Sequence, residues 1–286
     1  MTGTKVIKLR LDEGGTPEKL PELKQDVVGA VLKFMEDTAY RFSFGDQPDE
    51  YYDKALDATR GLNATSDQVQ QLLETLEHKI EEEEASVPPE GKPINVPAGC
   101  YLKYKMGSGP VLSALMNNSS HEKFELATRL PISNLGYKLS GGRKITVNGD
   151  LGSHTGAKMS DGIIKVNGKV ESCTGAGMSG GTIHITKGAG DSAGLGMIDG
   201  TIKVDGSVRN ETGLAMKGGK IIIGRNAGEK TGDNMAGGEI TVRGNTGKDT
   251  GWRMYDGTID VYGKIQLSKS VFGGEVRHKG KKVAPK

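Results

Sequence analysis

Apolar residues recur at every nineteenth position through the second half of the chain. In each repeat an isoleucine is followed two positions later by a valine or isoleucine, and the residue between them is mostly polar. Side chains at i and i+2 of a strand share one face, so each repeat predicts a short strand with one buried face. The first column is Ile145, Ile164, Ile183, Ile202, Ile221, Ile240 and Ile259, and the second is Val147, Val166, Ile185, Val204, Ile223, Val242 and Val261.

Glycines and methionines keep the same interval. Glycine reaches positive φ without a Cβ clash and therefore suits the corners of a small coil. Strands this short do not fold alone, but stacked parallel copies bury one another's apolar faces. The columns are Met159, Met178, Met197, Met216, Met235 and Met254; Gly156, Gly175, Gly194, Gly213, Gly232 and Gly251; and Gly162, Gly181, Gly200, Gly219, Gly238 and Gly257.

A coil of this length is too short for a strand, a helix and two loops. The fold class that we predict is therefore mainly β, a right-handed parallel β-helix of about seven to eight coils after an α-helical N-terminal region. A last rung over residues 272–276 arrives two residues early, and the basic tail from Lys279 to Lys286 is expected to be loose. The methionine column either binds a soft metal such as Cu(I) or fills the coil interior, and its identical position in six coils favours the interior.

The first part of the chain has a different pattern. Apolar residues at helical spacing predict helices over 20–37, 50–62 and from a capping Ser66 to the acidic run Glu81–Glu84. That run is either a solvated helix end or a docking patch for a basic partner. Alternation predicts strands over 5–11 and 98–105. We assign residues 1–95 to a helical cap, 96–137 to a connecting segment and 138–286 to the β-helix.

Composition excludes several functional classes. A net charge of +2, from 38 basic and 36 acidic residues, gives no broad field for nucleic acid or a membrane surface. No window is apolar enough to span a bilayer, and the N-terminus has no signal core. Two cysteines, Cys100 and Cys173, are too few for a disulfide framework. We therefore expect a soluble, cytoplasmic protein.

Individual chemical motifs are weak. Residues 175–180 read G-x-G-x-x-G, but a strand rather than a helix is predicted next, so a coil corner is favoured over a nucleotide site. The histidines are scattered, His184 is predicted to face outward, and Cys173 has no visible base. Lys165 and Lys203 would mark at most a weakly basic face. We assign no catalytic, cofactor-binding or metal-ligating residue, and we expect no cofactor.

The repeat Gly-x-Ile-x-Val-x-Gly…Gly-x-x-Thr-Gly-x-x-Met-x-Gly-Gly resembles the glycine-rich GXGXG domain over about Lys138 to Val283. That domain ends the glutamate synthase large subunit and forms the C subunit of formylmethanofuran dehydrogenase and of the related formyltransferase/hydrolase complex. Residues 221–232 are close to a family consensus, and the ending 273–280 is more similar to the C subunit than to glutamate synthase. The resemblance implies a right-handed β-helix that supports neighbouring catalytic subunits without catalysing a reaction itself.

Three functions follow as expectations. The first is a non-catalytic scaffolding subunit that binds other chains of an oxidoreductase or formyl-transfer complex, most similar to the C subunit. The second is a stand-alone glutamate-synthase-type subunit of an amidotransferase or oxidoreductase complex. The third is a free-standing enzyme with a site between cap and β-helix. The chain is also a candidate for a homo-oligomer that stacks through the β-helix ends.

Overall fold

The computed structural model describes residues 31–35, 48–85 and 103–284. Three helices are α1 (Pro48–Ala58), α2 (Ser66–Ala85) and α3 (Lys103–Asn118), and residues 31–35 are helical as well. The helix expected over 50–62 is confirmed, although it starts at Pro48 and ends at Ala58. The strand expected over 98–105 is wrong for residues 103–105, which begin α3. The strand expected over 5–11 lies outside the described residues.

The rest of the described chain is built from short strands. In chain order they are β1 (Lys123–Ala127), β2 (Lys144–Asn148), β3 (Ile163–Asn167), β4 (Lys169–Val170), β5 (Ser179–Ile185), β6 (Gly188–Ala189), β7 (Asp199–Val204), β8 (Lys220–Ile223), β9 (Ala236–Val242), β10 (Asp256–Val261), β11 (Glu275–His278) and β12 (Lys281–Ala284). One sheet has the order β1-β2-β3-β5-β7-β8-β9-β10-β11-β12, and β4 pairs with β6.

The predicted parallel β-helix is confirmed. The nine strands from β1 to β11 in the main sheet pair parallel, which gives eight coils among the described residues. The two apolar columns align in register, as in the pairs Ile202↔Ile221 and Val204↔Ile223. A second wall is marked by β4, β6 and isolated parallel bridges such as Leu151↔Val170. The core of the β-helix lies between these two walls and is continuous with the buried apolar faces of the helices.

The stacking begins before residue 138, where the sequence placed the start of the β-helix. Strand β1 pairs parallel with β2, so that Phe124 aligns with Ile145 and Leu126 with Val147. Both β1 side chains are 1% exposed. Phe124 and Ile145 are two residues farther apart in the sequence than the repeat period requires. An aromatic residue thus occupies the isoleucine column in the first coil. The segment 96–137 holds helix α3, strand β1 and most of the first coil.

The end of the β-helix differs from the expectation in one respect. The early last rung is confirmed, because Val276 in β11 aligns with Ile259 although it comes two positions sooner than the period would place it. In the tail expected to be loose, residues 281–284 instead form strand β12, which pairs antiparallel with β11, and residues 285–286 lie outside the described residues. Lys279 and Gly280 have φ values of 53° and 77°, which suits the tight turn between two such strands. Strand β12 therefore hydrogen-bonds to the last parallel strand and covers the edge of the sheet. The basic composition of this segment gave no sign of a strand in the sequence.

The methionine column fills the interior, as favoured from the sequence. All six side chains are 0% exposed. Each thioether methyl lies beside a glycine of the following coil: a Cβ on Gly200 would stand 2.7 Å from Met178 Cε. That glycine also has φ of 99°, which side chains rarely adopt. Methionine and glycine are therefore complementary parts of one packing contact that repeats along the rod.

Helix α2 closes the first edge of the sheet. The Glu125 N–H donates to Ser66 Oγ at 2.8 Å, and the Ala127 N–H donates to Gln70 Oε1 at 2.7 Å. Gln70 Nε2 donates back to the Ala127 carbonyl at 3.1 Å. Ser66 is thus not the helix cap that the sequence predicted. Thr65 is the cap, because the Gln68 N–H donates to Thr65 Oγ1 at 3.3 Å and the Thr65 N–H to Gln68 Oε1 at 2.9 Å.

Arg143 joins helix α3 to the β-helix. Its guanidinium donates to the carbonyls of Met116 at 2.6 Å and Asn117 at 2.5 Å, at the end of the helix. It also donates to the carbonyls of Ser119 at 2.9 Å and Ser140 at 2.8 Å. The last carbonyls of a helix have no partner within it, and a cation there also complements the helix dipole. One side chain therefore ties the end of α3 to the corner before β2.

Candidate functional site

A polar cluster lies where helix α1 packs on the first two coils. We call it the junction cluster; it consists of Asp49, Tyr52 and Asp53 of α1, Asn117 of α3, and Tyr137, Lys138 and Lys158 of the coils. Tyr137 donates to Asp49 Oδ1 at 2.9 Å, and Lys138 Nζ lies 2.9 Å from both Asp49 Oδ1 and Asp53 Oδ1. Lys158 also pairs with Asp49. The rings of Tyr52 and Tyr137 pack with centroids 5.5 Å apart.

Asn117 completes the junction cluster from the side of α3. Its Nδ2 donates to Tyr52 Oη at 2.5 Å and to the Lys138 carbonyl at 3.0 Å. Its Oδ1 accepts from the Ser140 N–H at 3.2 Å. Lys138 Nζ in turn lies 5.2 Å from the centroid of the Tyr52 ring, within reach of a cation–π interaction. One amide therefore links two helices and the first coil.

The charges of the junction cluster set its pKa values. Hydrogen bonds from Lys158, then Lys138 and Tyr137, outweigh burial and lower the pKa of Asp49 from 3.8 to about 2. Burial, followed by the hydrogen bond to Asp49, raises the pKa of Tyr137. Burial alone would lower the pKa of Lys138, but hydrogen bonds to Asp53 and Asp49 raise it. These shifts hold Asp49 and Lys138 in their charged forms and Tyr137 in its neutral form at neutral pH.

Replacing Asp49 by asparagine tests this electrostatic link. The folded pKa of Asp49 is depressed, so its contribution is present above the unfolded value of 3.8 and is lost as pH falls toward about 2. We expect D49N to lower the thermal midpoint at pH 7, with the difference from the wild type shrinking as pH falls from 4 toward 2. Melting curves followed by circular dichroism measure this. Glu50→Gln, at an exposed position of the same helix turn, is the control, and a pH-independent D49N difference would contradict the assignment.

A second polar cluster lies on the outer face of the main sheet. His184 Nε2 is 2.7 Å from Asp205 Oδ2, and Lys203 Nζ is 3.0 Å from Asp205 Oδ1. The outward position predicted for His184 is confirmed, since it alternates with the buried Ile183 and Ile185 in β5. Burial would raise the pKa of Asp205, but hydrogen bonds from His184 and Lys203 outweigh it and lower that pKa. The three side chains are partly exposed to solvent, His184 at 27%, Asp205 at 41% and Lys203 at 46%.

The structure separates the other residues that the sequence singled out. Cys173 lies at a corner with φ of 59°, and burial, then Asp191 and Glu211, raise the pKa of its thiol, which opposes thiolate formation. Gly175 and Gly177 have φ of 64° and 62°, and strand β5 begins at Ser179, so residues 175–178 form the predicted coil corner and a strand follows them as expected. Glu81 of the acidic run pairs with Arg129 at 3.4 Å.

Metal-binding and membrane-spanning features are both absent from the described residues. Over residues 31–35, 48–85 and 103–284, no three His, Cys, Asp or Glu side chains are grouped so that they would hold a metal ion. None of the helices in the described part of the chain combines the length and apolar character needed to cross a membrane.

A third surface was missed by sequence reasoning. We call it the C-terminal face; it consists of Lys230, Trp252, Arg253, Tyr255 and Phe272. The Arg253 guanidinium lies 3.8 Å from the centroid of the Trp252 ring, and Lys230 Nζ lies 4.8 Å from it. Tyr255 and Phe272 are 57% and 60% exposed, with ring centroids 5.5 Å apart. The available signal was the concentration of aromatic residues in the last full coil of an aromatic-poor chain.

The chain matches no protein-family model and no curated protein sequence.

Proposed function

We propose that this chain is a non-catalytic scaffolding subunit of a multisubunit enzyme complex. The complex most similar in kind is formylmethanofuran dehydrogenase, or the related formyltransferase/hydrolase, whose C subunit has the repeat that this chain resembles. The observation that carries the proposal is the uninterrupted coil. Between β2 and β10 each isoleucine aligns with the next at one constant interval, and no insertion forms a lid or a deep cleft.

The interior of the rod supports a structural role. The side chains that point inward from the main sheet are apolar, and the six methionines of the coil interior are 0% exposed. An enzyme needs polar groups that converge on a substrate from the walls of a concave site. In this rod the polar side chains of the strands point outward instead, where they are available to neighbouring proteins.

The polar clusters support the same proposal. In the junction cluster, Tyr137, Lys138 and Lys158 are all engaged by carboxylates of α1, so the charged groups stabilise the docking of a helix. His184 and Lys203 are engaged by Asp205 on the outer face of the main sheet. Catalytic groups need a free proton-accepting or nucleophilic atom beside a protected site. Both arrangements instead use opposite charges to hold parts of the protein together.

Purification of the chain from its native source tests the proposal. A copy tagged at the N-terminus and expressed from its own promoter is expected to co-purify with stoichiometric chains that carry iron–sulfur, molybdopterin or flavin groups, or an amidotransferase activity. Their cofactors also distinguish the formyl-transfer complexes from a glutamate-synthase-type complex. The tag expressed alone is the control. Substrate turnover by the isolated chain, or a monomer without stoichiometric partners, would overturn the scaffold assignment.

A further inference from the structure

The same pairing of an aromatic residue with a cation occurs twice on one side of the rod. Tyr137 precedes Lys138 in the first coil, and Trp252 precedes Arg253 in the last full coil. Lys138 and Arg253 both have φ of 52°, and Lys158, at the same corner of the second coil, has φ of 54°. The side chains at this corner therefore leave the rod from equivalent backbone positions. Between them the corner holds Gly177, Gly196, Ala215 and Asn234, which carry no charge.

The first pair shows what this corner binds. Helix α1 lies over it, with Tyr52 packed on Tyr137 and with Asp49 and Asp53 each 2.9 Å from Lys138. Residues at i, i+3 and i+4 lie on one side of a helix, so one helical face presents both carboxylates and the ring. The recognised feature is thus an acidic helix with an aromatic residue among its carboxylates.

The second pair has the same chemistry, and no helix of the described residues 31–35, 48–85 and 103–284 forms an ion pair with its cation. Within the described part of the chain, neither Lys230 nor Arg253 forms an ion pair, and both cations lie over the ring of Trp252. The nearby carboxyl of Asp233 is 5% exposed and accepts from Asn234 Nδ2 at 2.7 Å. Tyr255 and Phe272 extend the aromatic surface and are more than half exposed. Grouped aromatic and arginine side chains are typical of energetically important interface positions.

We infer that the C-terminal face docks an acidic helix of a partner chain, in the way that the junction cluster docks α1. The helix carries carboxylates at i and i+4 and an aromatic residue at i+3. Its carboxylates pair with Arg253 and Lys230, and its ring packs on Trp252. The presence of such a partner in the cell rests on the proposed scaffolding function. The chemistry of the surface does not, because it follows from the repeated corner and its charge complementarity.

A peptide titration tests the surface directly. The probe is an acetylated, amidated peptide of residues 46–60 of this chain, which contains the helix that binds the first corner. Trp252 is the only tryptophan of the protein, and the peptide has none, so selectively excited indole fluorescence reports on the C-terminal face. We expect a saturable change in Trp252 emission that weakens as ionic strength rises. A peptide with D49N and D53N together is the matched control and should bind about fivefold or more weakly.

Two substitutions of Arg253 distinguish an effect of its charge on peptide binding from an effect on folding. Arg253→Asn removes the charge while keeping a residue that the preceding coil accepts at this corner, Asn234, with φ of 51°. Arg253→Lys keeps the charge, as Lys138 and Lys158 do at the equivalent corners. We expect R253N to weaken peptide binding about fivefold and R253K to retain it, with unchanged melting curves for both. No saturable change with the wild type, or equal affinity for R253N, would overturn the inference.

Purification of the R253N chain distinguishes the two proposals. Loss of a stoichiometric partner that the wild-type chain retains supports the docking surface. A complex that forms equally well with R253N leaves the scaffolding function standing and removes the assignment of this face. If neither chain retains a partner, the scaffolding function fails, and the peptide titration alone decides the chemistry of the face. Dimers detected by light scattering for the wild type and lost in R253N would identify a second copy as the occupant and overturn the partner assignment.

Discussion

Gly213→Ala is expected to destabilise the protein by about 2–5 kcal/mol, because two penalties add at one position. Gly213 has φ of 71°, where a Cβ is strained. The new Cβ would also lie 2.4 Å from Ile240 Cδ1, so this side chain, which is 1% exposed, would have to shift within the core. The midpoint of urea unfolding, followed by circular dichroism, measures the loss.

Gly251→Ala is the matched control for the steric part of this effect. Gly251 occupies the same corner with φ of 76°, but a Cβ there would lie 3.2 Å from Val276 Cγ2, because the last rung has valine in the isoleucine column. The expected loss is about 1–2 kcal/mol, mostly from the backbone. Ile240→Val removes the clashing methyl, so the double variant with Gly213→Ala should be more stable than Gly213→Ala alone. Equal losses for both glycines and no rescue would contradict this packing.

Glu77→Ala is expected to destabilise the protein by about 3–5 kcal/mol, since it removes the acceptor of a buried network. The Glu77 side chain is 1% exposed. Its Oε1 accepts from Thr128 Oγ1 at 2.6 Å and from the N–H groups of Arg129 at 2.7 Å and Leu130 at 3.2 Å. The alanine would remove the acceptor of the part-buried Arg129 and Leu130 N–H groups, leave Thr128 Oγ1 only its bond to the Leu130 carbonyl, and loosen α2 from the first coil.

Two further variants, Glu77→Gln and Glu82→Gln, are expected to lose less stability than Glu77→Ala. The glutamine keeps an amide oxygen at the donors but loses the charge, so we expect about 1–2 kcal/mol. Glu82 is exposed on the same helix and pairs only with His78 and Lys79 in the described structure, so its replacement should cost less than about 0.5 kcal/mol. Urea unfolding of the three variants measures the order. A loss for E77A no larger than that for E82Q would show that this carboxylate does not hold the cap.

The regular coils were predictable because one physical requirement repeats in each of them. A strand residue in the isoleucine column meets the same glycine and the same neighbouring strand in every coil, so the same residue types recur. The second inner wall was not predictable in this way. Its positions include Leu151, Val170, Ala189 and Thr246, whose sizes differ although each is buried. An inner position defined by burial alone accepts several residue types, so this column keeps the 19-residue interval but has no single residue type that marks it.

The two ends of the rod were less predictable than its middle, for a related reason. The first rung has Phe124 in place of isoleucine and is spaced more widely from the next, so it falls outside the period. It packs against helix α2, which imposes requirements that the inner coils do not have. The last strand, β12, pairs antiparallel and carries Lys281 and Lys282 at exposed positions, so it has the composition of a solvated tail. Terminal repeats generally differ because each covers an edge rather than a copy of itself.

The concentration of aromatic residues in the last full coil was visible in the sequence, but the pairing of the candidate surfaces was not, because it depends on which residues the stacked coils place at one corner. Tyr137 and Trp252 are far apart in the chain, and only the stacking shows that they occupy one corner. The helix expected over 50–62 did not include Asp49, which the structure places in α1 beside Lys158. The candidate surfaces depend on corner residues whose type differs from coil to coil, whereas the fold depends on core residues whose type recurs in every coil.

Because every inner coil has the same number of residues, the number of residues between two corners fixes the distance between them along the rod. Successive strands lie about 4.8 Å apart, and Lys158 and Arg253 are separated by five coils, so helix α1 and the C-terminal face are held about 24 Å apart. Deletion or duplication of one repeat unit between them would change that spacing by a single increment without altering either end. The number of coils thus fixes the distance between the two ends of the rod. In an assembly that binds both ends, that distance could change only by multiples of one coil.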